Sequence, residues 1–294
     1  MKEINAELII NSGSRRSKSA KKKVIDCLNG NGFRITRITE IKRTDSLVKL
    51  LAPIKRRKPR LLIAGGGDGT ISAIVDHIVG TNIALGVLPL GTTNNFARSL
   101  NIPLDIDGAV RVIRENKPRP VDLGMINSNY FTNVTGLGLS ALVARNTTNT
   151  AKRRWGRYAY AVVGSAQLFR HKPFMVTIED KDHELKINFE THQLIIANGR
   201  FHAGKQIAVD AKVDNRELIV FALGGRSKLS FILGMLDFYI GKRKNVAHSS
   251  YLIARDIVLR TEPTQLVEVD GEMNTDPQIR ARVAPKAIKV CYSL

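Results

Sequence analysis

The chain has 294 residues, of which 43% are hydrophobic and 24% are charged, and this balance excludes an intrinsically disordered protein. The length is sufficient for two domains, each with its own core. The 46 Lys and Arg residues against 26 Asp and Glu residues give a net charge of +20, which favours anionic partners such as nucleic acid, acidic lipid surfaces or phosphorylated ligands.

The cysteines and the apolar runs bear on the cellular compartment. Cys27 and Cys291 lie at opposite ends of the chain and lack the spacing of a metal site, so they predict a reducing compartment without disulfides. The longest apolar stretch, Leu229 to Gly241, is interrupted by Asp237 and is shorter than the roughly 20 residues that span a bilayer. No signal peptide is visible, and we expect a cytoplasmic protein without a transmembrane segment.

Strand and helix patterns alternate along the N-terminal part of the chain. The predicted strands are Ala6 to Asn11, Phe33 to Thr39, Arg60 to Ala64 and Ile83 to Leu88. The predicted helices are Lys18 to Leu28, Asp45 to Leu51, Ile71 to Val79, a short helix after Asn95, and Asp107 to Glu115. This alternation predicts a mostly parallel sheet covered on both faces.

The pattern changes near Val121 to short alternating runs that are typical of an antiparallel β domain. The predicted strands are Tyr130 to Val134, Phe174 to Ile178, Leu185 to Phe189, Gln193 to Ala197, Glu217 to Leu223, Ile257 to Arg260, Leu266 to Val269 and Ala287 to Cys291. Two helices, Trp155 to Leu168 and Lys228 to Ile240, interrupt them. The predicted fold class is therefore an α/β N-terminal domain followed by a β-rich antiparallel domain.

The run Gly66-Gly67-Asp68-Gly69-Thr70 lies between a predicted strand and a predicted helix. Glycines let the backbone approach a ligand, and the N-terminus of the following helix favours a phosphate. Thr70 can cap that helix. Asp68 would repel a phosphate unless it binds Mg²⁺ or takes a proton. A glycine-rich turn with a capping aspartate is the structural alternative.

A second loop, Pro89 to Arg98, also follows a strand and opens a helix. Two such loops on neighbouring strands would face each other at the carboxyl edge of the sheet, where open α/β folds bind ligands. Thr92 and Asn94 can donate hydrogen bonds to phosphate. Near the C-terminus, Asp270-Gly271-Glu272 can place two carboxylates on one side of a turn, although an ordinary hairpin turn explains the same residues.

Taken together, these three segments resemble the soluble bacterial diacylglycerol-kinase and lipid-kinase family, to which sphingosine and ceramide kinases are more distantly related. The glycine-aspartate loop alone is shared with NAD kinases and phosphofructokinases. The ordered set of three segments is more specific, and the resemblance spans nearly the whole chain.

The resemblance implies a nucleotide-binding α/β domain over residues 1–122 and a β-rich lipid-substrate domain over residues 123–280. The C-terminal segment, residues 281–294, is expected to return to the first domain. The resemblance also implies ATP in the cleft with Mg²⁺, and transfer of the γ-phosphate to a lipid hydroxyl, with diacylglycerol as the first acceptor to consider.

The resemblance also assigns site residues. Gly66, Gly67, Asp68, Gly69, Thr70 and Thr92 match positions around the phosphates, and Thr39 lies near the place of a threonine that contacts the nucleotide. Glu272 matches the residue usually taken as the base that deprotonates the acceptor hydroxyl. Asp68 matches the residue that supports that base or the Mg²⁺, and in the sphingosine-kinase branch the matching aspartate is itself the base. Both assignments stay open.

The sequence departs from the family at two asparagines. Asn95 stands where the second loop often has an aspartate, and Asn215 stands where a structural Mg²⁺ site has a ligating aspartate. No residue is therefore assigned as a metal ligand. Two alternatives stay open. One is a soluble NAD-kinase-like enzyme of the same superfamily, and the other, which the two asparagines support, is a nucleotide- or nucleic-acid-binding protein with a decayed site. No RNA- or DNA-binding motif supports a nucleic-acid partner.

The basic segments indicate a peripheral membrane location. Lys152-Arg153-Arg154-Trp155-Gly156-Arg157-Tyr158 combines cations with aromatic residues, as membrane interfaces do, and Lys242-Arg243-Lys244 adds further charge. We expect contact with an anionic membrane surface, and a homodimer is compatible with the sequence. A solubilising surface is the alternative reading of each cluster.

Overall fold

The computed structural model describes most of the chain. The described residues are 3–11, 15–42, 46–146, 164, 166–168, 171–202, 204–207, 211–225, 227–240, 249–269 and 272–293.

The first half of the chain alternates strands with helices, as predicted. Its elements are β1 (Ile4–Asn11), α1 (Arg15–Gly30), β2 (Phe33–Ile41), α2 (Leu47–Arg57), β3 (Leu61–Gly66), α3 (Asp68–Ile78), β4 (Ala84–Pro89), α4 (Asn95–Ser99) and α5 (Ile106–Glu115). The first four strands are parallel, in the order β2-β1-β3-β4. Strands β3 and β4 are buried along their whole length because helices cover both faces of the sheet.

The rest of the chain is mostly strand. Its elements are β5 (Pro118–Ile126), β6 (Asn129–Phe131), β7 (Val134–Gly138), α6 (Leu139–Asn146), β8 (Phe174–Asp180), β9 (Leu185–Thr191), β10 (Gln193–Ala197), β11 (Phe201–His202), β12 (Lys205–Gln206), β13 (Leu218–Leu223), α7 (Lys228–Ile240), β14 (Ser249–Ala254), β15 (Asp256–Glu262), β16 (Leu266–Val269), β17 (Glu272–Thr275) and β18 (Gln278–Cys291). A six-stranded antiparallel sheet has the order β14-β13-β10-β7-β16-β17. The predicted fold class is confirmed.

Strand β18 joins the parallel strands to the antiparallel ones. Its last part pairs in parallel with β4, through Lys289 opposite Ala84 and Val290 opposite Leu85. Its first part pairs antiparallel with β15, which leads on to β8 and β9, and β5 lies along its other side. One ten-stranded sheet therefore contains strands from both ends of the chain.

Two apolar layers organise the β-rich part. One fills the space between the two large sheets, with Phe174 and Val176 of β8 facing Leu194 of β10 and Val220 of β13. The other lies on the outer face of the six-stranded sheet, where α6 and α7 cover β10 and β13. Alternate residues of β13 enter the two layers, which is the two-residue period of a strand buried on both faces.

Several predicted elements differ from those observed. The single strand predicted over Tyr130 to Val134 is two strands, because the buried residues Thr132 and Asn133 turn the chain between β6 and β7. The prediction lacks strands β5, β11, β12, β14 and β17 and helix α6. The helix predicted from Asp45 begins at Leu47 and continues to Arg57, which buries Leu51 and Ile54. The predicted helix Trp155 to Leu168 lies outside the described residues except for 164 and 166–168, which are helical.

Candidate active site

The two predicted phosphate loops lie side by side at the carboxyl edge of the parallel sheet. They follow β3 and β4, which are adjacent, and the Leu90 backbone N–H donates to the Gly66 carbonyl at 3.0 Å. The loops approach backbone to backbone, since a Cβ placed on Gly91 would lie 2.4 Å from Gly67 Cα. Only glycine allows this contact, and closely placed glycine backbones of this kind suit the binding of phosphate groups.

Asp68 connects the two loops through its carboxylate. The Thr93 hydroxyl donates to Asp68 Oδ2 at 2.7 Å, and the Phe96 backbone N–H donates to Asp68 Oδ1 at 3.1 Å. Asp68 also lies in the first turn of α3, where the helix dipole favours a negative charge. These contacts explain how a half-buried carboxylate is retained between the two loops.

Thr70 does not cap α3, so that part of the prediction is wrong. Helix α3 has Gly67 as its N-cap residue, without a side-chain cap. The buried Thr70 hydroxyl instead accepts a hydrogen bond from Asn11 Nδ2 at 2.8 Å, which joins the end of β1 to the start of α3. Thr70 therefore fixes the position of the helix N-terminus relative to the neighbouring strand.

Asn94 and Thr92 behave differently in the second loop. Asn94 is buried, adopts a left-handed backbone with φ of 49°, and directs its side chain back to the loop: Oδ1 accepts from the Gly91 N–H and Nδ2 donates to the Gly91 carbonyl. Asn94 thus shapes the loop. Thr92 at the loop tip is exposed, so a ligand can reach its hydroxyl.

The remaining residues predicted to bind the nucleotide, Gly69 and Thr39, lie at different distances from the two loops. Gly69, in the first turn of α3, is exposed, and its position has open space around it. Thr39 pairs with Ile9 of β1, which pairs with Ala64 of β3. Thr39 therefore lies two strands from β3, about 10 Å away.

Helix α4 connects the second loop to the β-rich part. Asn95 Oδ1 accepts a hydrogen bond from the Gly204 N–H at 2.8 Å, and Ser99 Oγ accepts from the Arg200 N–H at 3.1 Å. The Asn133 carbonyl accepts from the Asn198 and Gly199 N–H groups next to this contact. The sequence pattern marked Asn95 only as a departure from the family, and it gave no signal for Thr93 or Ser99.

The C-terminal acidic segment lies on a hairpin. Glu272 is the first residue of β17 and pairs with Val269 of β16; Asp270, Gly271 and the Glu272 side chain lie outside the described residues. Strand β6 contacts both α3 and β16. Strand β6 therefore connects the hairpin of β16 and β17 with α3, the helix that begins at Asp68.

The segment with Asn215 is held by hydrogen bonds. Asn215 Nδ2 donates to Glu217 Oε2 at 2.8 Å, and the buried carboxylate of Asp122 accepts from the Arg216 and Lys286 backbone N–H groups. Among the described residues, no group of three or more His, Cys, Asp or Glu side chains is placed to hold a metal ion. A Mg²⁺ ion that arrives with nucleotide phosphates needs only one or two protein carboxylates, and Asp68 can supply one.

Comparison with known proteins relates both parts of the chain to described families. The profile of the "Diacylglycerol kinase catalytic domain" matches residues 5–126, and that of the "YegS C-terminal NAD kinase beta sandwich-like domain" matches residues 133–292. A protein of Chromohalobacter salexigens named "Probable lipid kinase YegS-like" is 30% identical over 232 residues, covering 77% of this chain and 74% of that protein. A "Diacylglycerol kinase" of Staphylococcus epidermidis is 32% identical over 217 residues, covering 72% and 67%.

Solved structures show the same fold. The crystal structure of a diacylglycerol kinase from Bacillus anthracis strain Sterne aligns with a TM-score of 0.76 at 20% identity, covering 99% of this chain and 97% of that one. A second chain from the same strain aligns with a TM-score of 0.80 at 22% identity, covering 100% and 98%. The arrangement of the two sheets is thus shared across both parts of the chain.

Proposed function

The chain belongs to the family of diacylglycerol kinases and YegS-like lipid kinases, and from this membership we propose that it transfers the γ-phosphate of ATP to a hydroxyl group of a lipid, with diacylglycerol as the first acceptor to test. The observation that carries the proposal is the backbone approach of Gly67 and Gly91 beside the carboxylate of Asp68. Phosphoryl transfer depends on positioning and on offsetting charge, and this cleft suits both requirements.

The residues of the two loops would bind the phosphates. In this proposal the backbone N–H groups at the start of α3 and the exposed hydroxyl of Thr92 donate to phosphate oxygens, while Thr70 and Asn94 hold the two loops in shape. Thr39, two strands away, suits the ribose or base end of the nucleotide. Bound Mg²⁺ would offset the negative charge of the phosphates, with Asp68 as its protein ligand.

A carboxylate near the acceptor would remove the hydroxyl proton. We assign this step to Glu272, and we assign Asp68 to support of the metal or the base. General-base catalysis requires the carboxylate to lie within hydrogen-bond reach of the acceptor hydroxyl. The contact of β6 with both α3 and β16 supports a position of the hairpin near α3, the helix that begins at Asp68.

The two parts of the chain have separate tasks in this proposal. Residues 1–122 hold the nucleotide, residues 123–280 hold the acceptor, and residues 281–294 return to the first part. The hydrogen bonds of Asn95 to Gly204 and of Ser99 to Arg200 would fix the position of the second loop relative to the acceptor-binding part. The phosphoryl transfer would take place at the cytoplasmic face of an anionic membrane, and the net charge of +20 favours binding to such a surface. Among the described residues, no helix is long and apolar enough to cross a bilayer.

The test is transfer of ³²P from γ-labelled ATP with Mg²⁺ into extracted lipid. Mixed vesicles carry diacylglycerol, sphingosine, ceramide and phosphatidylglycerol, a parallel tube contains NAD instead, and the Asp68→Ala protein is the control for contaminating kinases. Label in a lipid supports the proposal and identifies the acceptor. Label only in NADP would replace the proposal with a soluble NAD kinase, and ATP binding without any transfer would indicate a decayed site.

A further inference from the structure

Helix α7 exposes apolar side chains on one face. Leu229, Ile232 and Leu233 are 64%, 43% and 38% exposed, and their i, i+3, i+4 spacing puts them on one side of the helix. Phe231 is only 6% exposed, and it packs with Met235 into the apolar layer beneath the helix. A soluble surface helix normally has polar residues on the face turned away from the core. Neighbouring exposed apolar side chains of this kind mark an interaction surface.

Helix α7 packs against the outer face of the six-stranded sheet. It follows β13, whose outward-facing residues Ile219 and Phe221 form the layer that α7 covers. Gly224 makes the turn between them with φ of +74°, and a Cβ there would lie 2.6 Å from Phe231 Cα. The Phe231 ring also lies 5.6 Å from the His192 ring, centroid to centroid. The side chains of Leu229, Ile232 and Leu233 therefore point away from the apolar layer beneath the helix.

The charges that flank α7 in the sequence favour an anionic partner. The exposed Lys228 opens the helix, and in the sequence Lys242-Arg243-Lys244 follow soon after its last residue, Ile240. The whole chain carries a net charge of +20. An apolar helix face with cations at its ends is typical of helices that lie in the interface of an anionic bilayer, where the side chains enter the acyl region and the cations meet the headgroups.

We propose that Leu229, Ile232 and Leu233 of α7 insert into the surface of an anionic lipid bilayer and dock the protein there. This inference rests on the proposed lipid-kinase function, because a lipid acceptor is reached at a membrane. The helix has 13 residues and lies on the sheet, so docking is peripheral. The proposal places the membrane contact on α7, and the sequence had indicated the basic-aromatic run Lys152 to Tyr158 instead.

The experiment measures binding to vesicles by flotation, without nucleotide. Vesicles contain phosphatidylcholine and phosphatidylglycerol at a 7:3 ratio, or phosphatidylcholine alone. The test variant is Leu229→Gln/Leu233→Gln, with Ile232→Gln as a second variant. The matched control is Val48→Gln/Leu185→Gln, since these side chains are 65% and 42% exposed on α2 and β9. Light scattering reports the oligomeric state, and circular dichroism reports folding.

We expect the double variant on α7 to bind anionic vesicles at least about tenfold more weakly than the unmodified chain, from the loss of apolar area that enters the bilayer. Ile232→Gln should weaken binding by a smaller factor, and the control should stay within about twofold. Binding of the unmodified chain should also fall in 0.5 M NaCl or without phosphatidylglycerol, because screening removes the attraction of the cations.

Three results would overturn the inference: unchanged vesicle binding in both α7 variants, equal loss in the control, or dissociation of a dimer by the α7 substitutions, which would make the face a contact between two copies. Phosphorylation of a short-chain diacylglycerol dissolved as monomers tests the proposed function separately. Its failure in the unmodified chain would remove diacylglycerol as the acceptor and leave the vesicle result to decide membrane docking. Retained activity of the α7 variants on this acceptor would confirm that the face acts in docking alone.

Discussion

Asp68 and Thr93 form the link between the two loops of the site: the Thr93 hydroxyl donates to Asp68 Oδ2 at 2.7 Å, while the other carboxylate oxygen accepts from the Phe96 N–H. Asp68 therefore has a structural task in addition to any contact with metal or substrate. The two tasks can be separated, because an asparagine at position 68 has the same shape without the charge.

We expect Asp68→Ala to lower kcat at least about 100-fold while the fold survives, the scale of a positioned acid-base group. Asp68→Asn should lose as much activity but keep a melting temperature near that of the unmodified chain, because the Thr93 hydroxyl can accept as well as donate. The measurements are steady-state kinetics and thermal unfolding. Activity of Asp68→Asn close to normal would show that Asp68 only holds the loops.

Glu272→Gln should also lower kcat at least about 100-fold with little change in stability, because the substitution removes a proton acceptor and leaves the backbone pairing of β17 with β16 in place. Glu262→Gln, at an exposed strand end, is the control and should be near normal. Normal turnover of a folded Glu272→Gln protein would remove Glu272 from the mechanism.

Gly91→Ala should raise KM for ATP at least about tenfold and destabilise the protein by about 1–3 kcal/mol, because its Cβ would collide with Gly67 Cα and separate the loops. Gly30→Ala is the matched control, since nothing lies within 4 Å of its Cβ position. Titration of a fluorescent ATP analogue measures the affinity directly. Equal affinity in Gly91→Ala would contradict a phosphate site between the loops.

Asn95→Ala should raise KM for the lipid acceptor by roughly three- to tenfold with KM for ATP nearly unchanged, because the hydrogen bond from the Gly204 N–H is lost. Asn95→Asp keeps an acceptor at that position and should stay within about threefold of normal. An equal rise in both KM values would assign Asn95 to general stability. Loss of activity in Asn95→Asp would show that the neutral amide itself is required.

His171 makes the stability depend on pH. Burial, followed by the nearby His192 and Lys228, lowers the pKa of His171 from 6.5 to about 4, and the two histidines meet through their Nδ1 atoms at 3.1 Å. The unfolded chain therefore binds a proton between about pH 6.5 and 4 that the folded chain does not. The contribution of His171 to the free energy of unfolding should therefore be greatest above pH 6.5 and should fall as the pH drops towards 4.

Thermal unfolding checks this prediction. Between pH 7 and pH 4.5, the melting temperature should fall by about 5 °C more in the unmodified chain than in His171→Gln, whose side chain does not titrate. Equal pH dependence of the two proteins would show that His171 is not the group responsible.

The helices and strands around the site could be predicted from the sequence, because each depends on a pattern of neighbouring residues. Buried Ile71, Ile74 and Val75 recur at helical spacing, and the glycine loops stand at the ends of continuous apolar strands. Strand β5 escaped prediction because it begins with Pro118 and contains Pro120, which read as strand breakers. Its pairing with β18 is a contact between distant parts of the chain.

The contacts that assemble the site could not be predicted from the sequence, because they join residues that are far apart along the chain. The partners of Asn95 and Ser99 lie about a hundred positions further along the chain, at Gly204 and Arg200. Strand β18 was predicted only from Ala287, because Pro285 and the left-handed Lys286 interrupt its pattern. The Asp122 carboxylate receives the Lys286 N–H and so stabilises this irregularity, a relationship that no local pattern encodes.

The position of β18 next to β4 sets an order of events during synthesis. A ribosome releases β1 to β4 long before residues 289 and 290, which pair with the edge of β4. Until those residues emerge, the β4 edge has open backbone groups that can pair with another nascent chain. The parallel half, although it is made first, therefore completes its sheet last, and we expect its release from chaperones to wait for residues 289 and 290.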